Sequence, residues 1–234
     1  MKGLHRLVGM TITTFALAVP AISVSAFDHG GRRSSAIVAA WARAILRLAG
    51  VKVSVHGREL LPPEGATLYV STHSSMLDVP ALFSIVPART RFVAKRELFQ
   101  IPLFGQAIGM LGFVEIDRAD KRAAKTALGR AAALARADRP ILVFPEGTRS
   151  RDSMILPFKK GAFALAHELK LPIVPIACLG GNTCMPPHRM EVVPGTMTLR
   201  VGRMIRPETD DYSSRATLME AARAEIDRLV SQQG

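Results

Sequence analysis

The chain has 234 residues, 48% of them hydrophobic and 21% charged, and its 31 Lys and Arg outweigh 19 Asp and Glu for a net charge of +12. That length suits one sizeable domain with an appended segment, and the apolar content excludes a disordered chain. The cationic surplus suits nucleic acid, anionic lipid or phosphorylated small molecules, but aromatics at 6% and the absence of zinc-ligand spacing exclude the common nucleic-acid modules.

The N-terminus is basic and short. Leu7 to Phe27 then carries no charge, which is long enough to cross a bilayer core. Pro20 and several hydroxyl residues dilute it. One reading is an uncleaved membrane anchor; the other is a secretory signal ending at Val24-Ser25-Ala26. The flanking charges lean towards an anchor: Lys2 and Arg6 precede the run, and Arg32, Arg33, Arg43 and Arg47 follow it, which by the positive-inside rule puts the main domain in the cytoplasm. Residues 28–35 read as a loop. Ile37, Ala40, Trp41, Ala44, Ile45 and Leu48 follow helical spacing, with Arg43 and Arg47 on another side. That helix suits either the core or an interface with anionic lipid. Gly50 is a helix stop.

From Val51 strands alternate with helices. Strands are expected at 51–55, 67–70, 91–94, 112–116, 141–144, 173–177 and 197–201, and helices at 121–137, 162–169 and 209–230. This alternation predicts an α/β domain with a mainly parallel central sheet flanked by helices. The expected division is an anchor and amphipathic helix over 1–50 and the main domain over 51–234. Cys178 and Cys184 lack redox or zinc spacing and are expected as buried thiols in a reducing compartment.

Three stretches carry chemistry. In the first, the apolar strand ending at Val70 runs into Ser71-Thr72-His73-Ser74-Ser75, with Ser74 or Ser75 as helix cap, and Asp78 follows. Residues five apart on one helix would point about 140° apart. A strand-to-helix turn removes that obstacle and lets Asp78 reach His73. A carboxylate on one ring nitrogen sets the tautomer and raises the basicity of the other, making a general base. The plain alternative is a turn with two polar caps.

In the second, Ile141-Leu-Val-Phe144 stops at Pro145 and continues as Glu146-Gly147-Thr148-Arg149-Ser150. Gly147 permits a tight turn, and polar residues at a strand end sit where ligand sites gather in open α/β sheets. Arg149 offers a donor fork for phosphate; a structural Glu–Arg pair is the alternative. In the third, Lys95 and Arg118 bracket the apolar, Pro- and Gly-punctuated segment from Leu98 to Phe113. Either both are solvated, or both join Arg149 around one phosphomonoester.

His73-Ser-Ser-Met-Leu-Asp78 resembles the His-x4-Asp motif of the glycerolipid acyltransferases. Phe144-Pro-Glu-Gly-Thr-Arg149-Ser150 is similar to that family's second signature block. Lys95-x-Glu97-Leu98-x-x-x-Pro102-x-x-Gly105 with Ile116-Asp117-Arg118 resembles the block between them, and Leu171-Pro-Ile-Val-Pro-Ile176 the fourth. All four occur in family order over about residues 65–180, and the nearest likeness is to the bacterial 1-acylglycerol-3-phosphate acyltransferases.

The resemblance implies transfer of an acyl group from acyl-CoA or acyl carrier protein to the sn-2 hydroxyl of lysophosphatidic acid, giving phosphatidic acid. His73 would be the base and Asp78 its orienting carboxylate. Glu146, Gly147, Thr148 and Arg149 would meet the glycerol phosphate, with amides near Gly147 as oxyanion donors, and Lys95 and Arg118 would help hold the phosphate. No metal or redox cofactor is implied. A cytoplasmic donor and a lipid acceptor together favour an uncleaved anchor at the inner membrane, catalytic domain on the cytoplasmic face, against an anionic lipid surface. Leu98 to Phe113 is a candidate lining for the acyl chain, or else core. Another acceptor such as lyso-ornithine lipid, or a non-catalytic lipid-binding protein that keeps the fold, are the competing functions. His5, His29, His56, His167 and His188 have no catalytic context.

Overall fold

The computed structural model describes residues 3–28, 31–117, 121–150, 154–187, 189 and 191–232. Its centre is a seven-stranded sheet in the order β1-β7-β6-β2-β5-β3-β4. In chain order the strands are β1 (Val51–His56), β2 (Leu68–Ser71), β3 (Arg91–Lys95), β4 (Val114–Ile116), β5 (Ile141–Val143), β6 (Ile173–Leu179) and β7 (Gly195–Val201). All neighbours pair in parallel except β6 with β7. The α/β reading with a mainly parallel sheet therefore holds.

The apolar runs are continuous because the sheet is covered on both faces. Successive side chains of a strand point to opposite faces. Tyr69 and Leu142 face one core, with Val174 and Ile176; Leu68, Val70, Ile141 and Val143 face the other, with Phe163, Leu218 and Ile226. All of them are buried.

Helices α1 (Leu4–Ser25) and α2 (Arg32–Ala49) pack against each other, and Trp41 Nε1 donates to Thr14 Oγ1 at 3.1 Å. Of the two readings for the second helix, the structure realises the core: Val38, Ala42, Ile45, Leu46 and Ala49 are buried in the first cluster, while Arg43 and Arg47 are exposed. The loop expected over 28–35 is shorter than that. Helix α2 begins at Arg32, because Asp28 Oδ2 accepts from both Ser34 N (2.8 Å) and Ser34 Oγ (2.9 Å) and satisfies its first turn. Gly50 ends the helix in the left-handed conformation, φ 70°, as expected. Helix α1 keeps Pro20 inside and is apolar and long enough to cross a membrane, with Leu4, Val8, Ile12 and Val19 exposed. That exposed apolar face suits association with a membrane.

The remaining helices are α3 (Asp78–Phe83), α4 (Arg96–Phe99), α5 (Phe104–Met110), α6 (Lys121–Arg136), α7 (Gly161–Leu169), α8 (Gly181–Cys184) and α9 (Arg215–Ser231). The last helix starts later than its apolar spacing suggested. Residues Asp210–Tyr212 form a 3-10 turn, and Ser214 is the true cap, its Oγ accepting from Thr217 N at 3.1 Å. Both cysteines are buried and free, as expected. Replacing Ser214 with Ala removes the α9 cap and should cost ~1 kcal/mol, lowering the melting temperature by about 2–4 °C in a thermal scan.

Candidate active site

Strands β6, β2, β5, β3 and β4 all end at one edge of the sheet, since they pair in parallel. Ligand sites gather at such an edge. His73 leaves the end of β2, Glu146 the end of β5, Gly180 the end of β6, and Lys95 closes β3.

The turn after β2 is built around Asp78. Its Oδ2 accepts from Ser74 N and Ser75 N, both at 2.7 Å, and from His73 Nδ1 at 3.0 Å. The side chain of Asp78 is fully buried, whereas that of His73 is 17% exposed. Residues Ser74 to Leu77 do not begin the helix. Neither Ser74 nor Ser75 caps it; α3 starts at Asp78 itself, and the carboxylate gathers the amides of the turn before it. Ser75 Oγ instead donates to Met185 O (2.9 Å) and accepts from Leu77 N (3.2 Å). The close fit extends to Gly181, where a Cβ would come within 2.5 Å of Asp78 Oδ1.

His73 is fixed from every other side. Its amide donates to Glu146 Oε1 at 2.9 Å and its carbonyl accepts from Ser150 N at 2.8 Å. Its ring stacks on Phe144, centroids 3.8 Å apart and planes within 2°. With Nδ1–H given to Asp78, the lone pair sits on Nε2, which no hydrogen bond occupies among the described residues. The ring opens on a cleft lined by Thr72, Glu146, Ile155, Leu179 and Val230.

The Glu146–Ser150 block lies beside His73. Glu146 is buried, and its second oxygen accepts from Leu156 N at 2.8 Å. Burial raises its pKa, against the pull of the Leu156 and His73 amides. The carboxylate thus ties the His73 turn to the segment before α7. Gly147 takes φ +76°, and its amide closes a turn onto Phe144 O at 3.1 Å, so this amide is not free as an oxyanion donor. Thr148 is exposed and Arg149 half-buried on the same turn. Lys95 is exposed and pairs with Glu97 at 2.5 Å. It stands two strands from β2, about 10 Å along the edge. Arg118 lies outside the described residues, as do His29 and His188. His5 and His56 are exposed, and His167 stacks on Tyr212.

Several contributors escape the sequence reading. Lys159 lies against Gly147, where a Cβ would meet its Cε at 2.8 Å, and its amide donates to Pro145 O. The dipeptide Lys159-Lys160 before Gly161 was the signal for it. Cys178 donates its thiol to Asp78 Oδ1 at 3.3 Å, and burial holds that thiol well above its usual pKa. Thr72 clips β2 to β6, its Oγ1 accepting from Cys178 N at 2.8 Å. Arg223 of α9 donates to the carbonyls of Ile155 and Leu156, holding the segment that Glu146 grips. No cluster of three metal-ligating side chains occurs among the described residues. Of the segment expected to line an acyl groove, Leu98, Phe99 and Phe113 pack on the core, while Ile101, Leu103 and Met110 are exposed near α1.

The family model described as Acyltransferase matches residues 52–179, a span that holds both the His73–Asp78 turn and the Glu146–Arg149 turn. The chain belongs to the acyltransferase family. Among curated relatives, a 1-acyl-sn-glycerol-3-phosphate acyltransferase of Chlamydomonas reinhardtii is 37% identical over 67% of this chain and 47% of its own length. The alpha form from Homo sapiens is 37% identical over 68% of this chain and 57% of its own. The chain thus spans about half the length of the curated relatives it matches. The crystal structure of the 1-acyl-sn-glycerophosphate acyltransferase of Thermotoga maritima superposes with a TM-score of 0.73 over 98% of both chains at 23% identity, which establishes a common fold.

Asp78→Asn keeps the size but offers one oxygen and sets an NH2 group against N–H donors. The turnover rate should fall by about 10²- to 10⁴-fold while far-UV circular dichroism stays native. A near-wild-type rate would mean that His73 is oriented by the Phe144 stack alone.

Proposed function

We propose that the protein transfers an acyl group from the thioester of acyl-CoA or acyl carrier protein to the sn-2 hydroxyl of lysophosphatidic acid, giving phosphatidic acid. The observation that carries this reading is His73, held at Nδ1 by the buried Asp78 carboxylate and lining a cleft at the carboxyl edge of the sheet. The curated relatives are named 1-acyl-sn-glycerol-3-phosphate acyltransferases, which supports the choice of acceptor.

In this mechanism His73 Nε2 takes the proton of the acceptor hydroxyl. The oxygen attacks the thioester carbonyl carbon, and the carbon–sulfur bond breaks as the tetrahedral intermediate collapses. The departing thiolate receives the proton from His73. The ester product and the free thiol balance the two substrates. A thioester is already activated, so the protein supplies base, position and charge stabilisation rather than a covalent nucleophile, and no metal or redox group is needed. Asp78 stabilises the imidazolium while the proton is in transit. Ser75, committed to Met185 O and Leu77 N, is not a nucleophile.

Arg149, with Lys95 and Arg118, provides the acceptor phosphate grip. Lys95 leaves Glu97 to do so, an exchange of one carboxylate for a more highly charged anion. Lys159 adds a fourth cation above the Gly147 turn. Helix α1 anchors the chain to the inner membrane with its catalytic domain on the cytoplasmic face, where the acyl donors and the net charge of +12 both suit it.

Turnover of purified lysophosphatidic acid with a panel of acyl donors tests the reading. His73→Ala should abolish turnover with the melting temperature near that of wild type. Activity on a lyso-aminolipid with none on lysophosphatidic acid would overturn the acceptor. Arg149→Ala should raise KM for lysophosphatidic acid about tenfold or more, consistent with a charge-assisted contact of 1.5–3 kcal/mol, and leave KM for the acyl donor unchanged.

A further inference from the structure

The opposite edge of the sheet holds a second concentration of positive charge, unrelated to His73. Arg91 opens β3 and is 1% exposed, among the most completely buried large side chains described. Its Nη1 donates to the carbonyls of Arg89 (3.1 Å) and Thr90 (3.2 Å), but its Nε is buried without a partner. Arg89, two residues before it, also buries an unpartnered Nε. Arg139, just before β5, completes the group. A Cβ on Gly31 would lie 2.8 Å from Arg91 Nη2 and 2.7 Å from Arg139 Nη1, so both guanidinium groups converge on that glycine. Gly112 approaches the other side, where a Cβ would meet Arg91 Nε at 3.6 Å. The Nε–Nη2 edge of Arg91 therefore lies between two positions without side chains. That edge is the one that grips a phosphate with two parallel hydrogen bonds.

Gly31 is also the residue that opens helix α2, 18 residues long. The positive end of its dipole adds to the three guanidinium charges. The carboxylate that offsets them is Asp28, and its Oδ2 is occupied by the amide and hydroxyl of Ser34. Burial and the charges of Arg139 and Arg89 depress Arg91 to about 10. Buried charges are normally paired, and an excess of this kind calls for an anion.

We infer that Arg91 and Arg139, closing on Gly31 at the N-terminus of α2, form with the neighbouring charge of Arg89 a binding site for a phosphate group, separate from the acceptor grip beside His73. The position favours a lipid headgroup as its source. Phe27, next to the site, is 83% exposed, and it continues the exposed apolar face of α1. A headgroup held here would pin the tip of the α1–α2 hairpin at the lipid surface, and an anionic product or neighbour lipid would then strengthen membrane attachment.

The full chain, purified in non-ionic detergent and carrying Arg149→Ala to disable the acceptor grip, is titrated with inorganic phosphate at constant ionic strength. Its melting temperature should rise by roughly 2–6 °C and saturate. Adding Arg89→Gln and Arg139→Gln should remove the rise; both side chains are half-buried, so the fold is retained. Flotation of the same proteins with phosphatidylcholine vesicles, with and without phosphatidic acid, then separates the sources. A loss of phosphatidic acid-dependent flotation in the arginine variant assigns a headgroup; phosphate stabilisation with unchanged flotation assigns a free phosphate compound. An equal phosphate response with and without the arginines, or none in either, overturns the site. His73→Ala should leave the response intact, so failure here is distinct from failure of the acyl-transfer reading.

Discussion

The site depends on one buried carboxylate. Asp78 has no solvent to stabilise it, and a bare carboxylate there would be prohibitively unfavourable. Two backbone amides, an imidazole N–H and a thiol supply what water would have supplied. The same set of bonds shapes the turn after β2, because the amides of Ser74 and Ser75 reach Asp78 only if the chain folds back. The orientation of the base and the path of the backbone are thus two consequences of a single interaction. Gly181 belongs to it as well, since any side chain there would collide with the carboxylate.

A second buried carboxylate extends the arrangement across strands. Glu146 links the amide of His73 to that of Leu156, and Arg223 of the last helix holds the carbonyls of the same segment. The turn after β2 and the turn after β5 are therefore tied together. Phe144 lies beneath the His73 ring, and His73 lines the cleft with Nδ1 held by Asp78. Such preorganisation suits the proposed acyl transfer, since alignment supplies much of the rate of a reaction between two bound partners. The cations are less fixed. Lys95 rests on Glu97, and both side chains are exposed.

The two edges of the sheet separate two kinds of positive charge. At the carboxyl edge the cations are exposed or half-buried around a polar turn. At the amino edge Arg91 is buried and lies against the tip of the N-terminal hairpin. The hairpin is not an appendage: Ala42, Ile45 and Ala49 belong to the same core as Tyr69 and Leu142. Contact with a membrane along α1 is therefore mechanically continuous with the sheet that carries the site.

Much of this was legible in the chain itself. Continuous apolar runs at 68–70, 141–143 and 173–176 require a sheet covered on both faces, and their alternation with helical spacing requires parallel pairing. His73 five residues from Asp78, across a turn rather than along a helix, allowed either an oriented base or two polar caps, and the ordered motifs resembled those of the acyltransferases. The tertiary structure decided what spacing cannot express. Glu146 became a clamp because Leu156 and His73, far apart in sequence, present amides to its two oxygens. Cys178 became a donor to Asp78 through the pairing of β6 with β2. Arg91 and Arg139 belong to no motif, and only the pairing of β3 with β5 brings them together against Gly31. Local pattern reports which face a residue turns to the core; only long-range pairing reports what it meets there.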